Sequence, residues 1–202
     1  MNHKVNDVQQ LYEDAKNLYT IVVKNQADGI ISDLSNAITI LKDSWKGVDA
    51  GVQINNVVDV YNGMAAVRNA LAGLAKDSST VAANYRDIQR LNSASIDALK
   101  PIEVERTIPP MDRYEDHRDT IDITPEAVNG KSKLDSTNDS YDAFKSAVDR
   151  YYNAIMDNWQ AGPGRNNAEG AFSDFMANAN KYKQTLEDVS RSITTALSNY
   201  QL

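Results

Sequence analysis

The 202-residue sequence contains no cysteine, only nine glycines and five prolines, and fewer basic than acidic residues. The absence of cysteine excludes disulfides, thiol nucleophiles and thiolate metal sites, so packing alone must hold the fold together. So few glycines and prolines argue against a β-sandwich or barrel, which needs many turns. The 21 basic and 28 acidic residues give a net charge of -7, which opposes binding to a phosphate backbone. We therefore expect no nucleic-acid partner.

Long uninterrupted apolar runs are also missing. No stretch reaches the roughly eighteen apolar residues that a membrane-spanning helix needs, and no basic amphipathic face is evident, so we expect no stable membrane insertion. Residues 1–7 are polar and lack the apolar core of a classical signal peptide. The hydrophobic fraction of 42% is nevertheless large enough for a folded core.

The strongest positive signal is a regular spacing of apolar residues. Between Met64 and Ile88 the stripe residues follow one another by three and four positions in alternation, the heptad rhythm of packed helices. Comparable stripes occur in three further segments, residues 8–45, 141–159 and 168–196. We predict one long helix over residues 5–44, with a slip in the rhythm near Gly29. Four helices in all give an all-α fold of two long hairpins with coiled-coil, four-helix-bundle-like packing.

The segment between the second and third helices differs in composition from both its neighbours. Residues 101–135 contain four of the five prolines and have five basic against nine acidic residues. Proline lacks an amide donor and disfavours a helical residue before it, so we predict an extended acidic linker here, including Ile121–Ile123. The predicted organisation is a first hairpin over residues 1–100, a linker over 101–135 and a second hairpin over 136–202.

Two capping signals lie near the end of this linker. Thr124 followed by Pro125 predicts a short helical turn, which Asn129 and Gly130 would stop. The third helix would then begin after a cap formed by Ser136 or Thr137.

The only two tryptophans lie at the predicted chain reversals. Trp45 and Gly47 mark the first, in the order Trp-Lys-Gly, and Trp159 and Gly162 mark the second, with one more residue between them. Glycine can leave the right-handed helical region without steric cost, and a tryptophan ring can cover the seam where two helices part. Each tryptophan then either closes its own end of the bundle or also forms a recognition end for a partner.

This arrangement resembles the WXG, or ESAT-like, family of helical hairpins that type VII secretion systems of Gram-positive bacteria export. The Trp-Lys-Gly at residues 45–47 matches the family motif as written, whereas the second bend departs from it by one inserted residue. The chain resembles a tandem pair of such hairpins over residues 1–100 and 137–202. The resemblance implies hairpins that pair into four-helix bundles and a protein made in the cytoplasm and secreted without a classical signal peptide.

The resemblance also implies an export tag, Tyr-x-x-x-Asp or Tyr-x-x-x-Glu, after the second helix. No such tag is present there, because Tyr182 is followed four residues later by Leu186 and Tyr200 lies too near the end. Export would then depend on a partner that carries the tag.

Candidate catalytic residues are few. His3 and His117 are the only histidines, and His117 lies in the acidic run 112–119. Carboxylates in this run could bind Ca²⁺ through oxygen, but the spacing is not that of an EF-hand, so we interpret the run as a solvated linker and leave weak cation binding near His117 open. Residues 162–164 lack the Gly-Lys-Ser/Thr of a phosphate loop. We predict no catalytic residue, no cofactor and no metal site.

These observations favour a non-enzymatic interaction module. The resemblance implies that the chain is an exported protein or an escort for a partner substrate, with the type VII machinery or a co-secreted helical protein as its partner. Association of two copies of the chain stays open. The alternative is a structural, scaffolding coiled-coil protein without a role in secretion.

Overall fold

The computed structural model describes residues 5–93, 96–105, 107–118, 120–160 and 163–199. Its helical elements are α1 (Val8–Asn17), a π-helical segment (Leu18–Ala27), α2 (Asp28–Ser44), α3 (Val48–Asn92), α4 (Ala127–Asn158) and α5 (Pro163–Asn199). Two-residue strands β1 (Trp45–Lys46) and β2 (Asp122–Ile123) form an antiparallel pair. The predicted all-α class is confirmed. Within the described ranges, no helix is both long enough and apolar enough to cross a bilayer.

The predicted helix over residues 5–44 is helical from Val8 onward but changes type along its length. The carboxylate of Asp7 accepts the amide of Gln10 at 2.9 Å and caps α1. In the π-helical segment the hydrogen bonds span one residue more than in an α-helix, which advances the buried face. Val22 and Val23 are both buried here, and the next buried residue is Ala27, five positions after Val22. The slip in the apolar rhythm therefore arises from this segment, just before the position where the sequence indicates it.

The third long helix begins earlier than predicted. α4 starts at Ala127 and continues through Gly130, which was predicted to stop a short turn. The predicted caps Ser136 and Thr137 lie inside the helix, and Thr137 is buried. A Cβ at Gly130 would lie 2.9 Å from the side chain of Leu41. Both predictions are wrong because this glycine allows a close approach between two helices and does not end one.

The chain divides into two compact units. Unit 1 contains Met1–Ala27, Val67–Ile108 and Phe144–Asp174, and unit 2 contains Asp28–Ala66, Pro109–Ala143 and Phe175–Leu202. Each unit therefore draws on both predicted hairpins and on the predicted linker. The division at residues 101 and 136 follows the chain and stays a prediction.

In unit 1 the core combines aliphatic side chains with one aromatic stack. The rings of Tyr152 and Phe172 are stacked, with centroids 3.8 Å apart. The predicted α3 stripe is buried within this unit at Val67, Leu71, Leu74 and Ser78. Ile88, predicted to continue the stripe, is exposed. The stripe therefore ends before α3 does.

In unit 2 the core contains a tilted aromatic pair and a tight helix approach. The ring centroids of Tyr141 and Phe175 are 6.1 Å apart. A Cβ at Gly63 would lie 2.6 Å from Cζ of Tyr182, so a larger residue at this position would displace the tyrosine ring. Tyr61 is buried in this core as well.

Candidate functional site

The first predicted bend lies in unit 2, between α2 and α3. Gly47 has a φ of 110°, a conformation that residues with a Cβ rarely adopt. A Cβ at this position would also lie 2.7 Å from the carbonyl oxygen of Thr120. Backbone conformation and space therefore both require glycine at the third position of the Trp-Lys-Gly sequence.

Residues just before α4 pair with this bend. Trp45 is opposite Ile123 in the β1–β2 pair, and the amide of Thr124 donates to the carbonyl of Ser44 at 2.8 Å. Trp45 is only 3% exposed, and its buried indole N–H has no hydrogen-bond acceptor among the described residues. The ring therefore stabilises the bend by packing. Ile123, predicted to be part of an extended linker, is buried beside the tryptophan strand instead.

Asp116 fixes the start of α3. Its carboxylate accepts the amide of Gly47 and the hydroxyl of Tyr114, each at 3.1 Å, and also the amide of Arg118. A negative charge at this position is favoured by the helix dipole and by the free amides of the first turn. The hydrogen bond from the Gly47 amide is the main cause that lowers the pKa of Asp116.

Within the described part of the acidic run 112–119, Asp116, Arg113 and Glu115 contact different partners. Asp116 is engaged as described, and the Arg113 guanidinium donates to both carboxylate oxygens of Asp59 at 2.8 Å. Glu115 and His117 form a 3.5 Å contact in which both side chains are exposed. In the part of the chain that the structure describes, no cluster of three or more histidine, aspartate or glutamate side chains could hold a metal.

The second predicted bend lies in unit 1, between the end of α4 and the start of α5 at Pro163. Trp159 is 1% exposed and forms an isolated antiparallel bridge with Val5. Gly162, the second predicted turn residue, lies outside the described residues. Trp159 therefore contributes a buried ring and a strand-like contact at its end of α4.

Asn158 secures this second bend from two sides. Its main-chain carbonyl accepts the amide of Asn6 at 3.1 Å, and its side-chain Oδ1 accepts the amide of Asp7 at 2.8 Å. The side-chain amide of Asn6 in turn donates to the carbonyl of Asp157 at 3.1 Å. The entry to α1 is thus tied to the exit of α4.

The two bends share a plan that the sequence analysis missed. Each tryptophan pairs antiparallel with a β-branched residue three or four positions before a helix of the other predicted hairpin. Trp45 pairs with Ile123 before α4, and Trp159 pairs with Val5 before α1. The brief alternation of Ile121, Asp122 and Ile123 is the only local signal that could have indicated one of these pairings.

A groove of about 560 Å³ lies beside the first bend, in unit 2. Trp45, Val52 and Ile121 line it together with the C-terminal part of α5, which contributes the ion pair between Asp188 and Arg191. Val52 is 54% exposed, Ile121 is also exposed, and so is Val48 one turn earlier on α3. Apolar side chains beside one charged pair suit the binding of another protein's side chains.

Comparison with known proteins adds no relative. No family model matches the chain, and no curated protein or solved structure is similar to it. The geometry of the two bends and of the groove is therefore the basis for the functional proposal.

Proposed function

We propose that the chain is a non-enzymatic helical interaction module, similar to secreted WXG/ESAT-like type VII substrates, that is exported itself or escorts a partner substrate. One observation carries the proposal. Exposed Val52 and Ile121 line one groove together with buried Trp45 at the Trp-Lys-Gly bend, on which the resemblance rests, and exposed Val48 lies one turn before Val52 on α3. The docking face proposed here is the groove beside that bend.

Docking at this groove would be driven by apolar burial onto a prearranged surface. The β1–β2 pair, the Gly47 conformation and the Asp116 cap hold the backbone of the bend in one geometry. A partner that inserts an apolar side chain would remove the exposed surface of Val52 and Ile121 from water, at about 25 cal/mol for each Å² buried. Little ordering of the bend would be needed, which favours affinity. The proposed partner is the type VII machinery or a co-secreted helical protein.

The test compares two exposed valines near helix starts. Val52→Asp places a charge in the groove, and Val128→Asp, at a residue of similar exposure (51%), places one at the first turn of α4 as the matched control. In a Gram-positive host with a type VII system, we expect Val52→Asp to lower the exported amount at least fivefold. Val128→Asp should leave export unchanged, and circular dichroism should give both variants melting temperatures close to that of the wild type.

Two results would contradict the proposal. One is equal export of the two variants, and the other is equal export from hosts with and without the secretion ATPase. A Val52→Asp variant that melts early would be replaced by Ile121→Ser, which changes the same groove with a smaller perturbation.

A scaffolding coiled-coil protein is the second candidate, and one specific feature favours it. Ile88 and Leu91, near the C-terminal end of α3 in unit 1, are both exposed, and Leu91 is 86% exposed. A scaffold would use such side chains for lateral association. Size-exclusion chromatography of the wild type and Leu91→Asp would show assemblies that the substitution dissolves, and a monomer at all concentrations would exclude this role.

A further inference from the structure

Part of the predicted linker is held on α3 through its main chain. In unit 2 the side-chain amide of Asn62 donates to the carbonyl of Met111 at 3.1 Å, and its Oδ1 accepts the Met111 amide at 2.7 Å. Asn55 makes the same pair of bonds with Tyr114, at 2.9 and 2.8 Å. Each asparagine therefore contacts a backbone residue as a neighbouring β-strand would.

The spacings on the two sides match. Seven residues separate Asn55 from Asn62, a rise of about 10.5 Å along an α-helix. Three residues separate Met111 from Tyr114, about 9 to 10 Å of extended chain. The backbones of Met111 and Tyr114, three residues apart, thus both face α3, which explains why these two residues are half-buried while residues 112–113 are exposed.

Two side chains of the segment are recognised as well. Asp59 lies between the two asparagines on α3, and its two carboxylate oxygens accept hydrogen bonds from the Arg113 guanidinium. Asp116 accepts the amide of Gly47 just before the first turn of the same helix. We call Gly47, Asn55, Asp59 and Asn62 the α3 face. In a short extended segment, this face contacts the backbone of Met111 and Tyr114, the guanidinium of Arg113 and the carboxylate of Asp116.

The paired asparagine contact is not unique to unit 2. In unit 1, Asn69 donates to the carbonyl of Ile108 at 2.8 Å and accepts its amide at 2.9 Å. Asn69 lies seven residues after Asn62, and Ile108 lies three residues before Met111. The same pair of hydrogen bonds therefore recurs at three asparagines of α3, each seven residues from the next, on backbone positions three residues apart.

We propose that the α3 face is a binding site for an extended peptide, that residues 109–118 are its resident ligand, and that a partner peptide with the pattern apolar-x-Arg-Tyr-x-Asp can take their place. Hydrogen bonds and one exposed ion pair make the contacts named above, so a peptide with the same groups satisfies all of them. A bound residue at the Met111 or Tyr114 position must supply an N–H. Proline is therefore excluded there and allowed between, as Pro109 and Pro110 illustrate.

The resident segment competes strongly because it belongs to the same chain and has a high effective concentration. The test therefore weakens it without changing the α3 face. In the full-length protein, Met111→Pro removes the N–H that Asn62 accepts. A fluorescein-labelled peptide with the wild-type residues 109–118 should then bind at least tenfold more tightly than it binds the wild-type protein, as measured by fluorescence anisotropy.

Matched variants and peptides define the site. Adding Asn62→Ala to the Met111→Pro protein should weaken peptide binding about tenfold. A peptide with proline in place of Met111 should fail to bind, whereas one with proline in place of Asp112 should bind as the parent does, because that position donates nothing to α3 and proline keeps the preceding residue extended. Equal affinity of all peptides, or no effect of Asn62→Ala, would overturn the proposal.

A second measurement needs no variant. In the wild-type protein, hydrogen exchange followed by NMR should protect the amides of Met111 and Tyr114 at least tenfold more than those of Asp112 and Arg113. Equal exchange of the four amides would overturn the site. A concentration-dependent dimer of the Met111→Pro protein would overturn the assignment to a partner peptide, because the segment of a second copy would then be the occupant.

Discussion

At the Trp45 bend a left-handed glycine and a carboxylate cap fix the backbone, whereas at the Trp159 bend an asparagine side chain ties α4 to the residues before α1. In both, the tryptophan is buried and its main chain pairs with a residue just before another helix. The shared part is thus a buried tryptophan whose main chain pairs with a short extended segment, and the hydrogen-bonding groups around the two bends differ. The two bends therefore resemble each other in the backbone pairing of the tryptophan more than in the spacing between tryptophan and glycine.

Removing either indole should have the largest effect on stability. Replacing a fully buried tryptophan with alanine costs about 3 to 5 kcal/mol, and the cost is smaller where neighbours can move into the space. Trp45 borders the groove and Trp159 is almost completely buried. In urea unfolding we expect the stability loss of Trp159→Ala to lie near the upper limit of this range and that of Trp45→Ala near the lower limit. The variants Trp159→Phe and Trp45→Phe should lose less stability than the alanine variants. A larger loss at Trp45 would reverse the comparison.

Gly47→Ala should affect only the Trp45 bend. A Cβ at a φ of 110°, 2.7 Å from the Thr120 oxygen, requires strain or movement, at a cost of about 2 to 3 kcal/mol in the free energy of unfolding. Gly73→Ala is the control, since nothing lies within 4 Å of its Cβ position inside α3. The control should gain about 0.5 to 1 kcal/mol from higher helix propensity. Equal effects of the two substitutions in thermal or urea unfolding would contradict this account of the bend.

Asn158→Ala should weaken the Trp159 bend specifically. The substitution leaves the amide of Asp7 without its acceptor, which costs about 1 to 3 kcal/mol when the group stays shielded from water. Asn153→Ala, on an exposed part of α4, serves as the control and should change stability by less than about 0.5 kcal/mol. The urea unfolding midpoints of both variants measure this difference. An unchanged midpoint for Asn158→Ala would show that the side-chain hydrogen bond does not contribute to stability.

Local pattern predicted the helices because apolar spacing reports which face of a helix is buried. It could not predict the start of α4, since the role of Gly130 depends on Leu41, far away in the chain. The pairing of Trp159 with Val5 and the hold of Asn62 on Met111 likewise join distant residues. The heptad spacing of the asparagines is visible in the sequence, but solvated polar faces of helices have the same composition.

The exposed groove at the Trp45 bend lay beyond sequence reasoning for a related reason. Val52 lies off the stripe of buried residues Ala50, Ile54 and Val57, but the sequence does not show that Trp45 and Ile121 lie beside it. Placing the bend itself was within reach, because tryptophan and glycine at a chain reversal have a local physical cause. A docking face at the bend is a property of several segments together and needs coordinates.

The smallest expected contrast is the pH dependence of two carboxylates, those of Asp14 and Asp116. In unit 1, burial raises the pKa of Asp14, and the hydrogen bond from Gln10 offsets this only in part. A raised pKa means that the folded state binds the proton more tightly than the unfolded state, so Asp14 opposes folding once the pH exceeds its unfolded pKa of about 4. Asp14→Asn should therefore increase stability at pH 7, and the gain should fade as the pH falls toward 4.

Asp116 should show the opposite sign, because the Gly47 amide lowers its pKa. A lowered pKa favours folding at every pH above the unfolded value of about 4, and this contribution is lost as the pH falls through the lower folded value. Asp116→Asn should reduce stability at pH 7 and approach the wild type in strong acid. Urea midpoints of the wild type, Asp14→Asn and Asp116→Asn between pH 3 and 8 measure both differences. If both substitutions changed the stability at pH 7 in the same direction, the two carboxylates would differ only in their degree of burial and not in the balance between burial and hydrogen bonding.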